Sequence, residues 1–272
     1  MKTVKNQKRP TFILFIVLLS FLIPIANSCS KENVVINERE IEMVDDNEIE
    51  PEKETSSAET SENLSSCTNP IDFVFNEKDG LVSVEFEKAE FSGDWTMKSD
   101  GNSYSGEGYM VWEGTQHLSQ PGNGRATFMI KISNAGTYQF VWNSAVKTGN
   151  NGTDHNDTWL RFGDADNFYA KKGNSVVYPN DSGKTPNPEG ASKDGWFKIY
   201  RSGNNLDFKW QSSTFDNNGH EVFVVFENAG IYLMEVSARS SGHAIDKFVL
   251  FKDSLTQEEA TTRAELSTIS CN

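Results

Sequence analysis

Two glutamates early in the apolar part of the chain are spaced for metal chemistry. Glu85 and Glu87 lie in "VSVEFEKAE", whose alternation of apolar and polar residues predicts a strand. Residues two apart on a strand project to one face about 7 Å apart, so these carboxylates repel each other unless a cation lies beside them. Ca²⁺ prefers carboxylate and carbonyl oxygens, and Asp246 in "SGHAIDKFVLF" is a candidate third acid. The alternative is that the glutamates are solvated surface residues.

Three stretches and one further tryptophan have the chemistry of a sugar site. A sugar ring presents apolar C–H faces and a fringe of hydroxyls, which aromatic rings and polar side chains bind together. "EGYMVWEG", "NNGTDHNDTWLRF", "SARSSGHAID" and Trp196 supply the candidates, which are Tyr109, Trp112, Asn156, Asp157, Trp196, Arg239 and His243. Arg239 and His243, before the last predicted strand, are favoured. The alternatives are that the tryptophans belong to the core and that Asn156 and Asp157 form an ordinary turn.

Groups that could catalyse a reaction are present, but in no recognisable motif. A glycoside hydrolase needs two facing carboxylates, and a lyase needs a base beside a charge neutraliser. The possible acids are Glu107, Glu113, Asp154 and Asp157, and His155 is a possible base. The sequence contains no G-x-S-x-G, phosphate loop or Cys/His nucleophile pattern, and its histidines lack the spacing of zinc ligands. We therefore expect no enzymatic activity, with a hydrolase or a lyase as the less favoured alternatives.

Short alternating segments must position these residues. Nine of them, separated by Gly- and Asn-rich turns, predict an all-β antiparallel β-sandwich over residues 67–272. "NAGTY" and "NAGIY" each precede such a segment, which predicts two related strands entered through Gly136 and Gly230 at positive φ. The tail "LTQEEATTRAEL" is the one helix-like stretch.

Four of these features in this order resemble carbohydrate-binding modules of families 6 and 35. They are the E-x-E strand, "GYMVW", "AGTY" before a strand, and the closing "AIDKFVL". The resemblance covers roughly Val82–Asp253 and implies a jelly roll with a structural calcium held by Glu85, Glu87 and Asp246. This domain is longer than those modules usually are, with the excess around Lys147–Asn218, so no binding residue can be transferred into that stretch.

The N-terminal region has the pattern of an exported lipoprotein. A basic start and a 12-residue apolar run, Phe12–Ile23, precede Ala26-Asn27-Ser28-Cys29, which resembles a lipoprotein cleavage box. We predict a signal peptide over residues 1–28 and lipidation of Cys29, with a plain secretory signal as the alternative. Residues 29–66 hold 12 acidic and 3 basic residues and no aromatic, which predicts a disordered tether. In similar lipoproteins of Bacteroidetes, acids after the cysteine accompany export to the cell surface, so we expect an outer-membrane anchor facing the surface, with the periplasmic face as the alternative.

Two further cysteines flank the predicted domain. An isolated pair in an exported protein favours a disulfide, so we predict a bond between Cys67 and Cys271, with two unpaired thiols as the alternative. Closing a loop of this length stabilises a fold by about 5 kcal/mol at most.

The charge balance narrows the possible partners. Residues 67–272 contain 27 acidic and 18 basic residues and no basic patch, which disfavours nucleic acid. We expect a monomer that contacts the membrane only through its lipid and captures polysaccharide or oligosaccharide without cleaving it, holding a polymer by avidity. The alternative is a protein-binding or structural module of the envelope.

Overall fold

The computed structural model describes residues 67–272. The predicted signal peptide, lipidated Cys29 and acidic tether lie outside these residues. Within residues 67–272, no helix is both long enough and apolar enough to cross a membrane. Two 3₁₀ helices span Pro70–Asp72 and Phe86–Lys88, and one α-helix, α1, spans Gln257–Thr262. The strands are β1 (Phe73–Asn76), β2 (Leu81–Glu85), β3 (Glu90–Phe91), β4 (Trp95–Lys98), β5 (Tyr109–Trp112), β6 (Arg125–Ile132), β7 (Gly136–Val146), β8 (Asp157–Phe162), β9 (Asn167–Lys172), β10 (Ser175–Val177), β11 (Ser192–Lys193), β12 (Trp196–Tyr200), β13 (Lys209–Trp210), β14 (Ser213–Thr214), β15 (His220–Phe226), β16 (Gly230–Ser237), β17 (His243–Lys252) and β18 (Ile269–Cys271).

The strands form two layers, which confirms the predicted all-β sandwich. One layer runs β2–β17–β7–β15–β9–β10, and β5 also pairs with β17. The other runs β18–β1–β6–β16–β8–β12 and is antiparallel except between β1 and β6. Strand β14 pairs with both β12 and β15, so the two layers are parts of one curled sheet.

Aromatic side chains from the two layers meet in the core. Phe128 on β6 and Phe248 on β17 have ring centroids 5.0 Å apart, and Phe140 on β7 and Phe162 on β8 have ring centroids 6.2 Å apart. All four rings are almost fully buried. Such pairs add directional contacts to the free energy of apolar burial, which dominates sandwich stability.

The repeated N-A-G-x-Y frame is a repeated structural unit. The Tyr138 hydroxyl donates to the Asn134 carbonyl over 2.6 Å, and the Tyr232 hydroxyl donates to the Asn228 carbonyl over 2.8 Å. Each copy therefore closes its turn with the same bond, and the strands that follow, β7 and β16, lie in different layers. The prediction of positive φ is confirmed at Gly136, with φ of 146°, and is wrong at Gly230, which is not among the residues with positive φ.

The two ends of the described domain are joined. Cys67 and Cys271 form the predicted disulfide, with their Cα atoms 5.5 Å apart. The bond fastens β18 beside β1, where Phe73 lies opposite Cys271.

The predicted helical tail is shorter than its sequence pattern. Helix α1 begins after Thr256, whose side chain and that of Glu259 form a capping box. Ala260 is buried with Leu81 and Val249, so the helix covers the outer face of the first layer. Beyond α1 the chain extends and returns as β18.

Candidate functional site

The three acids predicted to bind metal come from neighbouring elements. Strand β2 ends at Glu85, and Glu87 lies in the following 3₁₀ helix, so the two do not share one strand as predicted. Strand β17 pairs with β2, and its register against β7 shifts between Ile245 and Lys247. Asp246 is the extra residue of this β-bulge, a device that redirects a side chain out of the regular alternation.

One loop segment, Ser105–Glu107, gathers all three carboxylates, which we call the acid cluster. The Ser105 amide donates to Asp246 Oδ1 over 2.8 Å, and the Ser105 hydroxyl donates to Glu85 Oε2 over 2.7 Å. The Glu107 amide donates to Glu87 Oε1 over 3.0 Å. Gly106 between them has φ of 65°, and a Cβ there would lie 2.5 Å from Glu87 Oε1, so this approach requires glycine.

The acid cluster is short of positive charge. Lys247 Nζ lies 3.5 Å from Glu85 Oε1, and Glu87 Oε2 is buried without a hydrogen-bond partner. Burial raises the pKa of Asp246 to about 6, and the charge of Glu85 contributes. Burial also raises the pKa of Glu87, again with a contribution from Glu85.

The residues of the acid cluster fit a hard cation by their chemistry rather than by their present positions. The cluster has three carboxylates, and one oxygen of Glu87 is buried without a partner. Carboxylate oxygens are the ligands that a hard cation prefers. Within residues 67–272, however, no group of three or more His, Cys, Asp or Glu side chains is arranged as a ligand set for a metal. Hydrogen bonds to Ser105 and Glu107 occupy carboxylate oxygens instead.

A separate cleft of about 740 Å³, which we call the polar cleft, opens at one end of the sandwich. It contains three of the predicted ligand residues, Asn156, Asp157 and Arg239. Most of its remaining lining comes from Lys147–Asn218, the stretch that makes this domain longer than the modules it resembles. The cleft therefore depends on the segments that lengthen this domain.

A mostly buried ion pair lines the polar cleft. Arg239 Nη1 bonds to Asp157 Oδ2, and the Ser240 hydroxyl donates to Asp157 Oδ1. The guanidinium carbon of Arg239 lies 5.0 Å from the centroid of the Trp159 ring, within the range of a cation–π contact. Arg239 Nε is buried and has no hydrogen-bond partner. The guanidinium is thus fixed on two sides, and its enclosed Nε–H is left without a partner in the free protein.

The two residues before Asp157 shape the wall of the polar cleft. Asn156 is bonded to Arg201 in both directions: its side-chain amide donates to the Arg201 carbonyl over 2.6 Å, and the Arg201 amide donates to the Asn156 carbonyl over 3.1 Å. Asn156 therefore supports the wall. His155 has φ of 54°, unusual for histidine, and its buried Nδ1 has no partner.

Sequence reasoning missed part of this wall. Lys198 and Tyr200 line the polar cleft from β12, and Lys198 bonds to Asp216. The one signal in the sequence was a lysine between two apolar residues in "WFKIY".

The remaining predicted ligand residues are buried and do not line the polar cleft. Trp112 is 3% exposed, its ring lies 5.7 Å from Trp95, and its indole N–H donates to the Thr115 carbonyl. Trp196 is buried, and the guanidinium carbon of Arg161 lies 4.6 Å from the centroid of the Trp196 ring. Both strands that carry these tryptophans are covered on both faces, so neither ring is an exposed platform.

His243 and Tyr109 are likewise enclosed. His243 is fully buried, its Nδ1 shares a 2.8 Å hydrogen bond with Thr158 Oγ1, and burial lowers its pKa to about 3. Tyr109 donates to Asp100 Oδ1 over 2.7 Å, and the Lys147 ammonium lies 4.4 Å from the centroid of its ring.

A smaller pocket of about 250 Å³ adjoins Tyr109 and contains an accessible ring. Phe208 is half-buried there, with its ring centroid 5.0 Å from that of Tyr109, and Lys147 Nζ lies 5.0 Å from the Phe208 centroid. Asp100 and Asp207 also line this pocket, which we call the aromatic pocket.

No protein-family model and no curated protein sequence matches the chain. Solved structures do show similarity. A β-(1,4)-mannanase from Podospora anserina that carries a family 35 carbohydrate-binding module matches with a TM-score of 0.39 and 16% identity, over 66% of this chain and 29% of that one. An isomalto-dextranase from Arthrobacter globiformis matches with a TM-score of 0.38 and 15% identity, over 64% of this chain and 24% of the enzyme.

The structure of a single module from a third enzyme also matches. The C-terminal family 6 carbohydrate-binding module of a laminarinase from Zobellia galactanivorans matches with a TM-score of 0.33 and 13% identity, over 63% of this chain and 99% of that one. The names of two of these structures contain module families 35 and 6. The chain spans less than a third of the two enzymes, and at these scores neither ligand nor activity follows from the likeness.

Proposed function

We propose that this domain binds glycan without cleaving it, and that the polar cleft is its main binding site. The observation that carries the proposal is the Arg239–Asp157 pair on Trp159, with Arg239 Nε unpartnered. A guanidinium beside a carboxylate offers adjacent donors and acceptors, and sugar hydroxyls both donate and accept. Because Ser240 and Trp159 hold the pair in place, little side-chain entropy is lost when a ligand binds.

The state of the acids supports binding without catalysis. Asp157 is bonded to Arg239 and Ser240, and Asp216 to Lys198. Glu107 and Glu113 form ion pairs with Lys88 and Lys98, and Asp154 accepts a hydrogen bond from the Asn151 side-chain amide. A glycosidase needs one carboxylic acid to give up its proton and a second carboxylate to act across the bond, and acids held in ion pairs do not supply the protonated member.

Structural calcium at Glu85, Glu87 and Asp246 is the second part of the proposal. The buried, unpartnered Glu87 Oε2 and the raised pKa of Asp246 support it. When bound, Ca²⁺ would supply the positive charge that these acids lack, and it would fix the segment Ser105–Glu107 to the end of β2.

The proposal extends to the N-terminal region, which lies outside the described residues. Lipid attached to Cys29 anchors the protein in the outer membrane, and the acidic tether presents the domain at the cell surface. Metabolic labelling with palmitate, compared between the wild type and Cys29→Ser, tests the anchor, and protease accessibility on intact cells tests the exposed face.

A screen of the purified protein on glycan arrays and polysaccharide affinity gels tests the proposed binding. We expect retention by at least one glycan without product, and loss of retention in Arg239→Ala. Arg263→Ala, an exposed arginine outside the cleft, is the matched control. Formation of a cleaved product would show that the protein is an enzyme. If no glycan of the panel retains the wild type, a protein partner is favoured.

The aromatic pocket is the alternative position for the same function. It has an accessible ring, Phe208, together with Lys147 and Asp100, whereas the polar cleft depends on polar groups. If Phe208→Ala loses retention and Arg239→Ala keeps it, the glycan binds in the aromatic pocket.

A further inference from the structure

We propose that the ligand of the polar cleft is a neutral glycan segment several sugar units long, which crosses Leu118 into a neighbouring depression. This inference rests on the proposed function and specifies the class of ligand that the site takes.

The charges of the polar cleft favour an uncharged ligand. The two cationic side chains that line it are already neutralised, Arg239 by Asp157 and Lys198 by Asp216. Asp154, which also lines the cleft, accepts a hydrogen bond from the Asn151 amide. A carboxylate or sulfate entering here would meet like charge and would have to displace a carboxylate from its arginine. Net attraction for an anion is therefore absent.

The unpartnered groups match hydroxyls. Arg239 and His155 both line the cleft, and each has one buried nitrogen without a partner in the free protein. Arg239 Nε is a donor, and His155 Nδ1 donates or accepts according to its tautomer. A sugar hydroxyl satisfies either role without bringing charge. A buried polar group that stays without a partner in the complex lowers the affinity. Ligands that lack a hydroxyl at these positions should therefore bind more weakly than ligands that have one.

The length of the ligand follows from a second depression of about 730 Å³ beside the polar cleft. The two share Leu118, which is 50% exposed, and Trp159, which carries Arg239 on its ring, lines the second. Each volume is that of a site for a ligand larger than one sugar ring. An exposed leucine between two polar depressions offers an apolar contact to the C–H face of a ring, which lets a chain pass from one to the other.

The second depression also has no unpaired positive charge. Lys193 and Asp194 both line it and lie 3.5 Å apart as an ion pair, and Glu189 adds an acid. The whole path therefore lacks an unpaired base. A neutral chain crosses it without electrostatic penalty, whereas a polyanion meets an acid at both ends.

Affinity gels with matched polymers test the neutral class. Each pair has one backbone and differs in charge: hydroxyethyl and carboxymethyl cellulose, laminarin and sulfated laminarin, and methyl-esterified and de-esterified homogalacturonan. We expect retention by the neutral member of any pair that binds, with little change between low and high NaCl. Retention by only the charged member would overturn the inference and leave glycan binding intact, and retention of the wild type by no glycan in the wider screen would remove both.

A size series cut from the retained polysaccharide tests the path across Leu118. We expect affinity to rise with chain length beyond a disaccharide and Leu118→Ser to weaken binding of the long members by about tenfold, the equivalent of one lost apolar contact. Leu266→Ser, at a leucine that is 42% exposed and lies outside both depressions, should bind like the wild type. Wild-type affinity in Leu118→Ser, or affinity that is already maximal for a monosaccharide, would contradict the path.

Discussion

The acid cluster and the polar cleft both bury carboxylates, but they neutralise them differently. In the polar cleft Asp157 has an arginine and a serine hydroxyl as partners. In the acid cluster Glu85, Glu87 and Asp246 share backbone amides, the Asn143 side-chain amide, one hydroxyl and Lys247, and one oxygen of Glu87 has no partner. Taking a carboxylate out of water is costly unless it is paired. The polar cleft has its compensating charge in the chain, so its geometry is preorganised; the acid cluster needs a proton or a cation from solvent.

Removing the carboxylate of the polar cleft should have the largest effect. Asp157→Ala leaves the Arg239 guanidinium mostly buried without its counter-charge, and breaking a buried pair in this way costs about 3–5 kcal/mol of unfolding free energy. Urea denaturation measures this loss. Glu265→Ala, which removes the exposed partner of Lys78, is the control and should lose far less. Equal losses in the two variants would mean that the pair is not buried in solution.

Calcium should stabilise the protein through the acid cluster. A ligand that binds only the folded state adds about 3 kcal/mol at a hundred times its Kd, so Ca²⁺ should raise the midpoint of thermal unfolding and a chelator should lower it. Glu87→Gln should abolish the response because it removes one carboxylate of the cluster. Glu221→Gln, on an exposed position of β15, should keep it. An identical midpoint in calcium and chelator would remove calcium from the account.

Without metal, the acid cluster should make stability depend on pH. The pKa of Asp246 is about 6 in the folded protein against an ordinary value of 3.8, so the folded state holds its proton more tightly than the unfolded state. The contribution of this group to stability is fully present below about pH 4 and is lost as pH rises to about 6. In chelator, Asp246→Asn should reduce this decline in unfolding free energy by about 1–2 kcal/mol. A decline as steep as that of the wild type would show that Asp246 is not the group that titrates.

The smallest expected effect distinguishes geometry from charge in the polar cleft. Arg239→Lys keeps the positive charge beside Asp157 but removes the fixed fork and its Nε donor. Affinity for the retained glycan should fall about tenfold while the unfolding free energy changes by less than about 1 kcal/mol. If affinity is unchanged, charge alone explains the role of Arg239 and the donor at Nε is not used.

The sequence predicted the sandwich because strand alternation, turn residues and the paired cysteines are local signals. Residue type made Asp246 a candidate partner of Glu85, and the family resemblance supported the pairing. The Ser105–Glu107 segment that joins them carries no pattern of its own. Arg239 and Asp157 were both candidates, yet their pairing depends on how β8 lies beside β16, which no periodicity shows. Trp112 and Trp196 were misplaced as exposed candidates because alternation reveals one buried face, while their strands are covered on both.

The central claim is that the polar cleft binds glycan, and an NMR titration tests it most directly. The ligand is an oligosaccharide cut from the glycan that the affinity gels select, and the observed signals are the side-chain N–H groups of the protein. The Arg239 Nε–H resonance should shift on binding, because a hydroxyl then partners a donor that has none in the free protein. The Trp112 indole N–H, bonded within the core to Thr115, should stay unchanged. A titration in which Arg239 Nε–H does not move while resonances around Phe208 and Lys147 do would contradict the polar cleft as the binding site.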